Sequence, residues 1–336
     1  MKKVKSPDKP IQTAGKVSYL FDQMAEEYDD LRDLWYAWLF SRLHFLIAKH
    51  VLSGWTGKKQ RVLDVGCGTG FQSYLYALTG ADVSGVDIAQ ELLAVAREKG
   101  GTFRRRFPFP LFPSHFDFVT DYNRRIGNIL QPRFSAVPLA VPTFQTGDAT
   151  RLPFADESFD HVNCCGSTLN YIDDHNLALA EIARVLRPGG SYVIEVDAKY
   201  NLDLLWPAID ATLLRGRLGY ETTVRDAFGD LFSKVQSHIT IQYPFGEVSD
   251  PIYMDLKLFE RSTLLRELKS YGLLTERKAS IHSITNLIPS TLLDTAKPSH
   301  LLKSTFNLLA DAEEHIPFYL PGCSLVLFGT KVRPVR

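Results

Sequence analysis

Three alternating glycines follow a short apolar run in Val62-Leu63-Asp64-Val65-Gly66-Cys67-Gly68-Thr69-Gly70, and a helix is expected from Phe71. Glycines at alternate positions let the backbone turn sharply and approach a ligand closely, because no Cβ stands in the way. A helix that starts there presents unpaired N–H groups, a favourable place for a carboxylate or phosphate. The stretch reads as a loop that holds a nucleotide-bearing cofactor. Further acids stand where such a cofactor needs them. Asp82-Val83-Ser84-Gly85-Val86-Asp87 reads as a strand ending in Asp87. A carboxylate about 20 residues past a glycine loop suits a two-point grip on ribose hydroxyls. Gly147-Asp148-Ala149 and Leu152-Pro153-Phe154 come later.

The spacing separates two kinds of cofactor. A dinucleotide fingerprint runs G-x-G-x-x-G, its third glycine packing helix on strand. Here the glycines fall at 66, 68 and 70, and position 71 is Phe, which disfavours a NAD-dependent dehydrogenase. With Asp64 two positions before the first glycine, residues 63–70 resemble the first motif of class I S-adenosylmethionine-dependent methyltransferases. Ser158-Phe159-Asp160-His161-Val162 and Leu186-Arg187-Pro188-Gly189-Gly190 follow in the family's order. The resemblance covers residues 17–100 and 143–198 closely and the remainder loosely.

That resemblance implies S-adenosylmethionine as cofactor and implies its site: Tyr28, Asp64, Gly66, Cys67, Gly68, Gly70, Asp87, Ile88, Asp148, Ala149, Cys165 and Gly166. In it Asp87 grips the ribose, Ile88 lies against adenine, and Asp148 accepts from the exocyclic amine while the Ala149 N–H faces a ring nitrogen. The reactive end is expected by the fourth strand, near Cys165-Gly166-Ser167. Phe21-Asp22-Gln23-Met24-Ala25-Glu26-Glu27-Tyr28-Asp29 resembles the helix that precedes the core in quinone- and small-molecule-type methyltransferases. There the tyrosine lies near the cofactor's carboxylate or sulfonium, and an aromatic face stabilises a cation. An interfacial tyrosine packed on the core is the other reading of Tyr28.

A methyl group on a sulfonium is already activated, so its displacement needs alignment, desolvation and, for a weak nucleophile, a base. His282, Tyr171 and Glu195, with Asp197 nearby, are the candidate bases. His161 is expected to pack inside its strand and His175 to meet solvent at a helix start. No Asn-Pro-Pro-Tyr-like motif and no Pro-Cys pair stand near the reactive end, which counts against methylation of nucleic-acid bases. Cys164-Cys165 reads as inert strand core. No His, Cys or Asp cluster has metal-ligand spacing, so no metal is expected. The absence of a Gly-Lys-Ser/Thr phosphate loop removes the nucleotide hydrolases. Lys and Arg number 38 against 38 Asp and Glu, so no global field recruits nucleic acid. A small-molecule or lipid-like acceptor is expected. The alternatives are an RNA- or protein-directed methyltransferase and a non-catalytic S-adenosylmethionine-binding subunit.

These residues need a scaffold of alternating strands and helices. The alternation predicts an α/β fold with a doubly wound parallel sheet, and the resemblance implies that it is Rossmann-like, seven-stranded and mostly parallel, with an antiparallel last strand within 323–332. A helical N-terminal segment and cap insertions add to it. Leu179, Ile182, Ala183 and Leu186 recur at helical spacing, with Asp173 or Asp174 as cap and Pro188-Gly189 as stop. Residues 1–16 are expected to be a flexible N-terminus, and 17–198 with 256–336 the cofactor-binding core. Residues 199–255 form a cap or substrate insertion, with a strand pair at 237–243 and 252–258. The insert 101–142 holds six arginines against two aspartates. It is either a lid or docking arm, with peripheral membrane contact through 103–112, or a segment packed on the flank; the second is favoured. The apolar stretch 34–47 is too short to span a bilayer. A basic start without a signal-peptide core and four cysteines without framework spacing make the cytoplasm the expected compartment. The oligomeric state is left open.

Overall fold

The computed structural model of the 336-residue chain describes residues 14–25, 28–29, 33–56, 59–104, 116–220, 237–245, 252–293, 295, 297–316 and 319–332. Its centre is a seven-stranded sheet. Strands β1 (Arg61–Val65), β2 (Asp82–Asp87), β3 (Thr143–Thr146), β4 (Phe159–Cys164) and β5 (Leu186–Asp197) precede a separate hairpin, β6 (Ile239–Phe245) and β7 (Ile252–Leu258). Strands β8 (Leu273–Ile281) and β9 (Ser324–Lys331) complete the sheet in the order β3-β2-β1-β4-β5-β9-β8. Strands β1 to β5 pair in parallel, whereas β9 runs antiparallel to both β5 and β8. The expected fold class is therefore observed. Strand β1 is buried on both faces from Val62 onward, as a central parallel strand covered by helices must be. Strand order reverses between β1 and β4, which opens a crevice at the carboxyl ends of those strands.

Helices α1 (Ala14–Gln23), α2 (Leu34–His50), α3 (Phe71–Ala77) and α4 (Gln90–Thr102) come first, then α5 (Asp117–Phe134) and α6 (His175–Val185). The Asp33 side chain caps α2 by accepting from the Tyr36 N–H at 2.8 Å. Helix α2 is buried around most of its circumference because α5 packs on it. Val119, Tyr122, Ile126 and Leu130, three or four residues apart, make the buried stripe of α5. The described helix of the long insert thus packs into the core. Its Arg125 pairs with Glu314 and lies 4.1 Å from the Phe45 ring centre, and Arg42 of α2 pairs with the same Glu314 at 3.0 Å. Of the expected membrane-contact stretch 103–112, all but residues 103 and 104 lie outside the described residues.

Helix α6 ends at Val185, one residue earlier than the apolar spacing suggests, because Leu186 has already entered β5. Asp174 is the capping residue and accepts from the Asn176 N–H at 3.1 Å. The hairpin β6–β7 forms in the expected place, with Tyr243 opposite Met254. It continues without a break into the core, since the bridge between Ala198 and Phe259 follows directly after β7. The expected boundary between 255 and 256 falls inside β7. Helices α7 (Arg261–Ser270) and α8 (His300–His315) complete the chain's described helical layer.

Candidate active site

The glycine loop takes the conformation its composition requires: Gly66, Gly68 and Gly70 have φ of 67°, 51° and 82°. The Gly66 and Cys67 amides both donate to the Val86 carbonyl, at 2.8 and 3.1 Å, folding the loop over the end of β2. An ideal Cβ on Gly66 would lie 2.1 Å from Thr168 Oγ1, so the glycine is what admits the turn after β4. The Asp87 carboxylate accepts from the Gly68 N–H at 2.8 Å and from the Ala89 N–H at 2.9 Å. Burial pushes the Asp87 carboxyl up from its ordinary range, and these amides work against that shift.

A cavity of about 320 Å³ opens at this edge of the sheet. Of the expected cofactor residues, Tyr28, Gly66, Gly68, Asp87, Ile88, Asp148, Ala149 and Gly166 line it. Asp148 Oδ1 accepts from the Thr150 N–H and Oγ1, both at 2.8 Å, which fixes its side chain in a tight turn. Tyr28 is held in place by its neighbour. Asp29 accepts from Thr69 Oγ1 at 2.6 Å and pairs with Lys99, whose ammonium also reaches the Thr69 carbonyl at 2.8 Å. Burial, then the charges of Asp87, Asp29 and Glu195, push the Tyr28 hydroxyl far above its usual pKa, so it stays protonated.

The other four lie outside the lining. Asp64 sits beneath the loop, with its oxygens taken by Ser73 Oγ at 2.5 Å and Asn163 Nδ2 at 2.7 Å. Burial raises its carboxyl to about 6. Gly70 is the N-cap of α3, Cys67 packs by Gly85, and the Cys165 thiol donates to Asn163 Oδ1 at 3.3 Å. Burial pushes both thiols up, which keeps them unreactive. These four shape the loop and its floor. Val17, Phe21, Thr168, Ile172 and Leu177 line the cavity and were not anticipated. The i, i+4 spacing of Val17 and Phe21 on α1 was the available signal for two of them.

Among the candidate bases only Tyr171 reaches the cavity, where its ring meets Phe21 edge-on at 5.3 Å. Glu195 is not among the residues lining the cavity. Its Oε2 accepts from the Gly166 and Ser167 amides at 2.9 and 2.8 Å, and Oε1 from Ser324 Oγ, so it braces the turn after β4 from behind. Asp197 accepts from Ser167 Oγ at 3.1 Å; burial first and Glu195 second raise its carboxyl to about 7. Nor is His282 among the lining residues. It is fully buried, stacks on Trp35 with ring centres 3.6 Å apart, and engages Thr285 Oγ1 at 3.0 Å and the Trp35 carbonyl at 3.1 Å. Burial lowers its pKa to about 4. It is a packing residue remote from the cavity lining.

His161 packs inside β4 as expected, between Tyr76 and Ser191. His175 does not meet solvent: it is buried, and folding brings it to Glu267 together with His238, each imidazole Nε2 lying 3.0 Å from Glu267 Oε2. These are metal-ligand types that no sequence spacing revealed. Their outer nitrogens decide the chemistry. The Lys257 ammonium faces His175 Nδ1 at 3.1 Å, and the Glu260 N–H donates to His238 Nδ1 at 3.0 Å. Metal-bound imidazoles donate through their outer nitrogen. Here both outer nitrogens accept, which leaves the two Nε2–H groups aimed at Glu267. Burial raises the Glu267 carboxyl, but these hydrogen bonds outweigh it and hold it at about 2. The cluster is a hydrogen-bonded clip.

A family model described as a methyltransferase domain matches residues 118–194, and a second with the same description matches 62–122. The two together span the glycine loop, Asp87, Asp148 and β4. Residues 62–194 are thus similar to domains described as methyltransferases. Demethylmenaquinone methyltransferase of Renibacterium salmoninarum is 32% identical over 181 residues, 53% of this chain and 57% of that protein. The enzyme of the same name from Chlorobaculum parvum is 30% identical over 190 residues, 55% and 62% of the two chains. O-methyltransferase cnsE of Penicillium expansum is 32% identical over 136 residues, 40% and 37%. The chain spans less than two thirds of the length of each of these relatives. The crystal structure of the cyclase SpnF shares the fold alone, with a TM-score of 0.53 over 95% of this chain and 96% of that one at 17% identity. Among the described residues no helix is long and apolar enough to cross a membrane.

Proposed function

We propose that the chain transfers a methyl group from S-adenosylmethionine to a small-molecule or lipid-like acceptor. The observation that carries this reading is the joining of the glycine turn to Asp87 through the Gly68 amide, on a cavity that Asp148 and Ala149 also line. The residues fit the cofactor. A Cβ on Gly68 would have Leu92 and Tyr28 as its nearest neighbours, each 3.8 Å away, so a side chain there would occupy the cavity itself. Asp87 holds the ribose, Asp148 and Ala149 meet the adenine edge with Ile88 beside it, and Gly66, Gly68 and Gly166 leave room for the amino-acid tail. Bound there, the cofactor supplies an electrophilic methyl group on a cationic sulfur.

The chain's own residues supply alignment and dryness. Val17, Phe21, Ile172 and Leu177 give the cavity apolar wall, which excludes water from an in-line displacement. Tyr28, kept protonated, presents a neutral ring and a donor beside the glycine turn. Tyr171 is the candidate base with access to an acceptor. Relatives named demethylmenaquinone methyltransferase and O-methyltransferase support a small-molecule acceptor. All four cysteines are unpaired, which supports a reducing, cytoplasmic location.

Calorimetric titration with S-adenosylhomocysteine, followed by incubation with methyl-labelled cofactor and a metabolite and lipid extract, tests the proposal. Binding and a labelled product of low mass are expected. Absence of binding overturns the proposal, and binding without any labelled product moves the reading to a non-catalytic subunit.

A further inference from the structure

The hairpin β6–β7 touches the cavity wall through Lys257, a residue of β7 paired with Thr240. The Lys257 ammonium donates to the Ile172 carbonyl at 3.0 Å, to the Asp173 carbonyl at 2.7 Å and to His175 Nδ1 at 3.1 Å. An ammonium has three N–H groups, and here all three are used. Ile172 and Asp173 line the cavity, and so does Tyr171 just before them. The same residue ties this segment a second time. Asn170, which is buried, donates to the Lys257 carbonyl at 2.6 Å, and its Oδ1 accepts from the Asp197 N–H at 3.1 Å. Behind the ammonium, the His175–Glu267–His238 clip fixes the imidazole that Lys257 meets.

The geometry points to Lys257 as a positioning residue. Resting on the reading of the cavity as the cofactor and acceptor site, we propose that its ammonium holds residues 170–173 so that Tyr171 and Ile172 form the wall facing the bound cofactor. The segment runs from the end of the helical turn Thr168–Tyr171 toward the start of α6, and the Ile172 and Asp173 carbonyls converge on a donor from outside both elements. Asp173, Asp174 and Glu267 favour the charged form of Lys257 against the effect of burial. The hairpin thereby acts on the cavity without lining it at this point.

The test compares Lys257→Met, Lys257→Arg and Lys331→Met in the full chain. Lys331 is the control: its ammonium also donates to a main-chain carbonyl, that of Leu186 at 2.8 Å, at the opposite end of the sheet. Thermal midpoints and calorimetric dissociation constants for S-adenosylhomocysteine are measured for each. Lys257→Met is expected to weaken binding about tenfold, since a small displacement of a binding wall is costly. Lys331→Met is expected to bind within about twofold of wild type at a comparable loss of thermal midpoint, as a change remote from the wall should. Lys257→Arg, whose guanidinium can serve two carbonyls, recovers most of the loss. Equal weakening by Lys257→Met and Lys331→Met, or unchanged binding by Lys257→Met, overturns the inference alone. Wild-type protein that binds no S-adenosylhomocysteine overturns the reading of the cavity and this inference with it.

Discussion

The Asp87 carboxylate meets the Gly68 amide at 2.8 Å, so the last acid of β2 and the middle glycine of the loop form one unit. On the proposed reading, replacing Asp87 would remove a ligand contact and release the loop at the same time. Asp87→Ala is expected to weaken S-adenosylhomocysteine binding about a hundredfold, and Asp87→Asn, which keeps one accepting oxygen, about tenfold. Calorimetry on both variants checks this. Equal affinities for the two would mean that the amide contact contributes nothing.

Gly66 and Gly68 share a positive φ but differ in their surroundings. Alanine at either position carries backbone strain of about 1 kcal/mol. At Gly66 the new methyl would also strike Thr168, whose side chain begins 2.1 Å away, whereas at Gly68 the nearest atoms are 3.8 Å away. Gly66→Ala should therefore lower the thermal midpoint and displace the turn after β4. Gly68→Ala should lower the midpoint less, by the backbone strain alone, and weaken cofactor binding by filling the cavity. Thermal unfolding alongside ligand titration separates the two outcomes.

The sheet, the hairpin and the gathering of eight of the expected residues around one cavity were legible because each rests on local pattern: alternating glycines, acids at strand ends, apolar spacing. The misplaced residues failed for a different reason. Glu195 ends an apolar strand in the manner of a catalytic acid, yet its partners are amides 28 and 29 residues away and a serine 129 residues away. Long-range pairing of this kind leaves no local trace. His282 was misread similarly, since Glu313 on α8 accepts from the amides of His282, Ser283, Ile284 and Thr285 and locks that turn inside the protein. Glu313 looks like one more surface acid in its helix. The His175–Glu267–His238 clip joins α6, the segment before β6 and α7, elements far apart in sequence.

The buried His282 gives an acid-side signature. Its pKa falls to about 4 in the folded chain against an ordinary 6.5, so the unfolded chain holds more protons between those values. Stability from its neutral form is present above about pH 6.5 and is lost as pH drops toward 4, on the order of 3 kcal/mol in all. His282→Gln cannot titrate. The stability advantage of wild type over this variant should shrink as pH falls through that window, while methyl transfer by the variant keeps the wild-type pH profile. Denaturant unfolding from pH 4 to 7.5 measures the first and labelled-product formation the second. A shifted activity profile would return His282 to the list of bases.

Asp197 titrates with the opposite sign. Burial first and Glu195 second raise its carboxyl to about 7 from 3.8, so the folded chain keeps a proton that the unfolded chain releases. The stability this proton brings is complete below about pH 4 and is lost as pH rises through 7. Asp197→Asn preserves an oxygen for Ser167 Oγ and cannot ionise. Relative to wild type, the variant should gain thermal midpoint steadily from pH 4 to 7 and level off above it. The difference between the two midpoints isolates Asp197 from the histidines, whose effects are common to both proteins. A constant difference across that range would mean that Asp197 ionises at its ordinary pH and is a carboxylate at neutral pH beside the Ser167 hydroxyl.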